Sequence, residues 1–162
     1  MTPRAGAPAP TSMVRDLDGG AVSLAGLATE GPALLFFWKG DCGACEAAAH
    51  ALPRLAAIPG LRVAAVSQDE PADTRAFAAA HGWDRAPVGL LIDAEPWAAS
   101  DALDVRSTPT WILLSRGGRV EAAAEGWSRD EANALAARAA ALAGAPAPVV
   151  SLPADGPAFR PG

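Results

Sequence analysis

Basic side chains are few and dispersed: Lys39 is the only lysine, and 13 Lys and Arg stand against 18 Asp and Glu for a net charge of -5. A nucleic-acid surface needs clustered cations on one face, so no nucleic-acid partner is expected. Long apolar runs are also missing. A membrane span takes roughly eighteen uninterrupted apolar residues, and the longest strongly apolar block, Ala33 to Trp38, is only strand-sized. The first residues, MTPRAGAPAPTS, lack the apolar stretch of a secretory signal, so a cytoplasmic location is expected. Cysteine is limited to Cys42 and Cys45, too few for a disulfide framework and placed in one short local ring. With two histidines, no second CxxC and no paired histidine spacing, the ligand set of a zinc site is hard to complete. Neither a metal nor a bound cofactor is expected.

What remains suits one packed domain: 162 residues, 51% hydrophobic and 19% charged, with alanine inflating the first figure. Both ends read as poorly packed. Residues 1–12 form a flexible N-terminal segment, and 144–162 form a Pro/Gly-rich tail whose Val149, Val150, Leu152 and Phe159 could still dock. In the body, 13–143, Asp18-Gly19-Gly20 joins two short strands as a leading hairpin. ALLFFW, after Pro32, has the length and aromatic content of a strand buried on both faces. A helix is predicted from Gly43 to about Ile58, kinked at Pro53 and stopped by Pro59-Gly60.

Further strands are predicted at Leu61 to Ser67 and Val88 to Ile92, with a helix between them running from Asp69 to near Gly82. A short helix over Glu95 to Leu103 precedes a hairpin, Thr110 to Ser115 and Arg119 to Glu125. Ser128 and Glu131 then form a capping box for a last helix reaching about Ala143. Strands alternating with helices imply a parallel sheet and the closing hairpin an antiparallel edge, so the class is a mixed α/β sandwich.

The cysteines follow a buried strand and open a helix, where unpaired backbone amides and the helix dipole favour a thiolate. Such settings lower a thiol pKa from roughly 8.5 into a range of about 3.5 to 7.5. Cys42 is therefore assigned to attack or be attacked, and Cys45 to resolve the mixed disulfide. Three other readings stay open: a structural disulfide, a peroxide-reducing thiol enzyme, and a binding or metallochaperone-like module with idle cysteines. Lys39 would favour the Cys42 thiolate and Asp41 oppose it, which makes both candidates for tuning its pKa.

The run from Phe36 to Cys45 resembles the strand-end and CxxC segment of the thioredoxin family, and Ser107-Thr108-Pro109-Thr110 resembles its cis-proline loop. The segment from Asp18 to Leu24 is similar to the leading hairpin of TlpA-like redoxins. The likeness spans about residues 13–143. It implies a thioredoxin-like three-layer sandwich with a mixed central sheet and an N-terminal β-hairpin, acting as a protein thiol:disulfide oxidoreductase. It further implies a cis Thr108-Pro109 peptide beside the cysteines, with Thr108, Pro109 and the strand-end Trp38 on the substrate side. Expected partners are protein or small-molecule dithiols and disulfides together with an upstream redox partner, and a monomer is expected. A thioredoxin-type buried aspartate is replaced by Phe36 and a TlpA-type glutamate by Ala48. Asp41, Glu46, Asp69 or Glu70 would then have to accept the proton of Cys45.

Overall fold

The Asp18-Gly19-Gly20 turn is closed by the side chain of Asp16, just before it. Asp16 Oδ1 accepts the amides of Asp18 (2.9 Å) and Gly20 (2.8 Å), and Gly19 takes φ 91°, a left-handed value that favours glycine. Strand β1 (Met13–Asp16) thereby folds back on β2 (Ala21–Ser23). The computed structural model describes residues 3–162. It continues with β3 (Ala33–Trp38), α1 (Gly43–Ala48), α2 (Ala51–Ala56), β4 (Arg62–Ser67) and α3 (Pro71–Ala80). Next come β5 (Val88–Ile92), α4 (Ala98–Ala102), β6 (Thr110–Leu114) and β7 (Val120–Glu125). The last elements are β8 (Trp127–Ser128), α5 (Arg129–Ala143) and β9 (Phe159–Arg160).

Seven strands form one mixed sheet in the order β2-β1-β5-β4-β3-β6-β7, while β8 and β9 form a separate pair. At the centre, β3 runs parallel to β4 and antiparallel to β6, and all six of its residues are buried. Leu34, Phe36 and Trp38 face one core with residues of α1, α2, α3 and α5. Leu35 and Phe37 face the other with Leu24, Ala99 and Leu103. Each such Leu or Phe contributes roughly 1.5–3 kcal/mol by complete burial. The result is the expected three-layer α/β sandwich, with the leading hairpin built into the sheet. Among the described residues, no helix is long and apolar enough to cross a membrane.

The helix after the cysteines departs from expectation. It breaks at Ala49 and His50 rather than at Pro53, giving α1 and α2 as two short pieces. Proline has no amide for the carbonyl four residues back, and its ring crowds that carbonyl, so the disturbance falls a turn earlier, at Ala49. The Ala49 oxygen instead accepts the Leu52 amide (3.3 Å) and the indole N–H of Trp83 (2.9 Å). Pro53 itself sits in the first turn of α2, where a missing amide costs little. The helix expected over Glu95 to Leu103 is likewise confined to α4, after a cis Glu95–Pro96 peptide.

Both ends differ from the loose segments expected of their composition. Near the N-terminus, the Gly6 amide donates to Val120 O (2.7 Å), Val120 N to Ala7 O (2.9 Å) and Ala9 N to Gly118 O (2.6 Å). At the other end, Asn133 Oδ1 accepts the amides of Val150 (2.8 Å) and Ser151 (3.1 Å). His50 Nε2 lies 2.9 Å from Ser151 Oγ, and burial pushes the imidazole's pKa down. Arg54 donates to both Asp155 oxygens (2.6 and 2.9 Å), and Trp127 Nε1 donates to Pro157 O (2.8 Å). Val150 is buried, whereas Val149, Leu152 and Phe159 stay exposed. Proline and glycine suppress regular elements here, but they leave carbonyls, amides and side chains free to bond to distant elements.

The Arg54 guanidinium and the Leu152 amide hold the Asp155 carboxyl well below the usual carboxylate range. A carboxyl whose pKa falls on folding stabilises the fold above its unfolded value and loses that contribution as pH falls through the folded value. Asp155→Ala is therefore expected to weaken hydrogen-exchange protection of the Val150 and Ser151 amides. The difference from wild type should be full above about pH 4 and shrink below it. Equal protection in the two proteins at pH 7 contradicts this anchoring.

Candidate redox site

Trp38 ends β3, and three loop residues later Cys42 takes the N-cap position of α1 with extended backbone (φ -122°, ψ 109°). Its sulfur accepts the Cys45 amide at 3.1 Å, satisfying one of the donors a helix start leaves free. The two cysteines are disulfide-bonded, with Cα atoms 5.2 Å apart. Their surroundings differ sharply. Cys45 has 0% exposure and belongs to the core, while Cys42 is half-buried and reaches solvent.

The loop before β6 completes the site. The Thr108–Pro109 peptide is cis, and the Thr108 carbonyl oxygen lies 3.2 Å from Cys42 Sγ. Two bonds hold this loop: Thr110 Oγ1 donates to Ser107 O (2.8 Å), and the Gly126 amide donates to Pro109 O (2.8 Å). Thr108 and Pro109 border the accessible sulfur in spite of the 64 positions separating Cys45 from Pro109 in sequence. A groove of about 430 Å³ runs between this loop and Cys42.

Trp38 is a correction. The resemblance placed it on the substrate side, yet it has no exposed surface and so cannot touch a substrate directly. Its ring packs at a tilt against Phe77 (4.4 Å between centroids) and meets Trp83 edge-on (5.1 Å), supporting the site from beneath. Lys39 and Asp41 pair with each other at 3.7 Å on the exposed rim. Asp69, considered as a proton acceptor, is engaged elsewhere: its Oδ2 accepts the Gly40 amide at 2.6 Å. It ties the loop carrying Cys42 to the end of β4. His50 faces Ser151 and Trp127, away from this chemistry.

Sequence reasoning missed the tail's place in the site. Arg160, Pro161 and Gly162 form a wall of the same groove as Cys42 and Thr108. The only local signal was the apolar Phe159; the β8–β9 pairing that brings the segment here joins positions about thirty apart.

A mixed sheet of this order, carrying a CxxC disulfide at a helix start and a cis-proline beside it, is the thioredoxin-like architecture of the oxidoreductases. The chain belongs to the AhpC/TSA family, which it matches over residues 5–123, and its leading hairpin agrees with the TlpA-like redoxins. Among solved structures it is similar to a secreted Mycobacterium tuberculosis disulfide oxidoreductase homologous to E. coli DsbE. That pair shares 23% identity over 82% of this chain and 96% of that one, with a TM-score of 0.67. A thiol:disulfide interchange protein from Bacteroides sp. shares 21% over 86% and 92%, with a TM-score of 0.69. An uncharacterized conserved protein from Geobacillus kaustophilus shares 22% over 90% and 85%, with a TM-score of 0.72. At these identities the likeness is one of fold. No curated protein gives a significant match.

The Asp69 carboxylate bears on the loop rather than on the sulfur. Asp69→Ala is expected to lower the unfolding free energy of the oxidised protein by about 1–2 kcal/mol, the scale of a charge-assisted hydrogen bond. Urea denaturation checks this as a lower midpoint at unchanged slope. A midpoint equal to wild type removes Asp69 from the support of the site.

Proposed function

We propose that this protein exchanges disulfides with protein or small-molecule partners through Cys42 as the attacking sulfur and Cys45 as the resolving one. The observation that carries the proposal is the unequal exposure of the two bonded sulfurs, with the accessible one beside the Thr108 carbonyl. In the reducing direction, the Cys42 thiolate attacks one sulfur of the partner disulfide and displaces the other as a thiolate, which takes up a proton. Cys45, deprotonated, then attacks the Cys42 sulfur, releases the second partner thiolate and closes the intramolecular disulfide. Two electrons pass to the partner, and an upstream dithiol restores the protein. The oxidising direction is the same sequence reversed.

Thr108 and Pro109 have a binding role in this reading. An extended partner segment laid along the loop would use Thr108 backbone groups as an added strand, bringing its cysteine to Cys42. Proline at the next position offers no amide that would need a partner.

Reduction of a protein disulfide such as those of insulin tests the reading. Wild type is expected to turn over with a dithiol reductant, and Cys42→Ser to fall to the uncatalysed rate. Cys45→Ser should accumulate a mixed disulfide on Cys42, visible as a mass increase lost on reduction. Turnover by Cys42→Ser equal to wild type contradicts the assignment and favours a binding module with idle cysteines.

A further inference from the structure

The guanidinium of Arg160 rests against the backbone of Gly43, the residue after Cys42. A Cβ built on Gly43 would lie 2.9 Å from Arg160 Cζ and Nη2 and 3.1 Å from Nε, so the bare backbone lets the guanidinium approach this closely and a side chain there would displace it. Its backbone is held from several sides. Arg160 pairs with Trp127 across β8 and β9, and a Cβ on Gly162 would meet Thr108 O at 2.9 Å, so the segment abuts the cis-proline loop. Arg160 therefore stands over the groove, on a strand anchored to the body.

Lys39, the other cation lining the groove, is paired with Asp41, whereas Arg160 has no ion-pair partner among the described residues. A cation lining the same groove as the reacting sulfur acts on any charge the partner carries next to its own cysteine, and between neighbours in one groove the interaction is only partly screened by salt.

We infer that Arg160 is a specificity-determining residue of the redox site, selecting disulfide partners that carry negative charge beside the reacting cysteine. The inference rests on Cys42 being the attacking thiol. Oxidised glutathione, which is anionic, and cystamine, which is cationic, present the same reacting bond with opposite flanking charge. Arg160 also acts on the Cys42 thiolate itself, but that effect enters both reactions and cancels in the ratio of their rates.

The test measures how fast the reduced full-length protein reacts with each disulfide, using acid quenching and mass spectrometry. The glutathione-to-cystamine rate ratio is expected to fall about tenfold in Arg160→Glu and to be kept in Arg160→Lys. Arg116→Glu makes the same change in net charge in the β6–β7 turn, at the far end of the sheet, and should also keep the ratio. A ratio in Arg160→Glu equal to that in Arg116→Glu, with the wild type reacting normally, overturns the role of Arg160 alone. A wild type that reacts with neither disulfide overturns the underlying assignment of Cys42 as well.

Discussion

Strand β3 is buried on both faces, and the position of the reactive sulfur depends on how it is locked in place. Its register cannot be set by polarity, because every side chain is apolar; it is set by volume. Trp38 fits between Phe77 and Trp83, and Phe36 packs against Trp111 at 4.4 Å. A slip of one residue would exchange the large residues of one core for those of the other, so shape alone specifies the pairing. The end of the strand is thereby fixed, and with it the start of α1, where Cys42 becomes the N-cap.

From that junction the two sulfurs acquire different roles without any difference in residue type. One turn of helix carries Cys45 inward to the core, while Cys42 stays at the surface beside the Thr108 carbonyl. The electrostatic setting around Cys42 is built from several modest contributions: a helix-start amide, a mutually paired Lys39 and Asp41, and the guanidinium of Arg160. Glycine at position 43 leaves the Arg160 head room against the helix start.

The parts of the fold governed by neighbouring residues were legible in the sequence. The Asp18-Gly19-Gly20 turn, the doubly buried strand and the Ser128 cap of α5, whose hydroxyl accepts the Glu131 amide at 3.3 Å, all carry their signal within a few positions. The CxxC segment and Thr108-Pro109 were legible as a pair because both are short motifs in a fixed order. What was not legible depends on contacts between distant positions. The break at Ala49 is completed by Trp83, and the docking of the tail by Arg54, Asn133 and Trp127. Pro/Gly-rich composition marks the lack of regular elements and is silent on whether the segment packs. Arg160 could not have been found locally, since nothing near it in sequence points to Gly43.

The central claim is that Cys42 and Cys45 form one reversible two-electron couple. Equilibration of the protein in glutathione buffers of graded potential, followed by thiol alkylation and mass spectrometry, tests it most directly. The account predicts a single reversible transition between dithiol and intramolecular disulfide, with a tenfold change in their ratio for about every 30 mV. A pair that never converts across the glutathione range, or a glutathione adduct on Cys42 that persists while Cys45 remains an unreacted thiol, would contradict it.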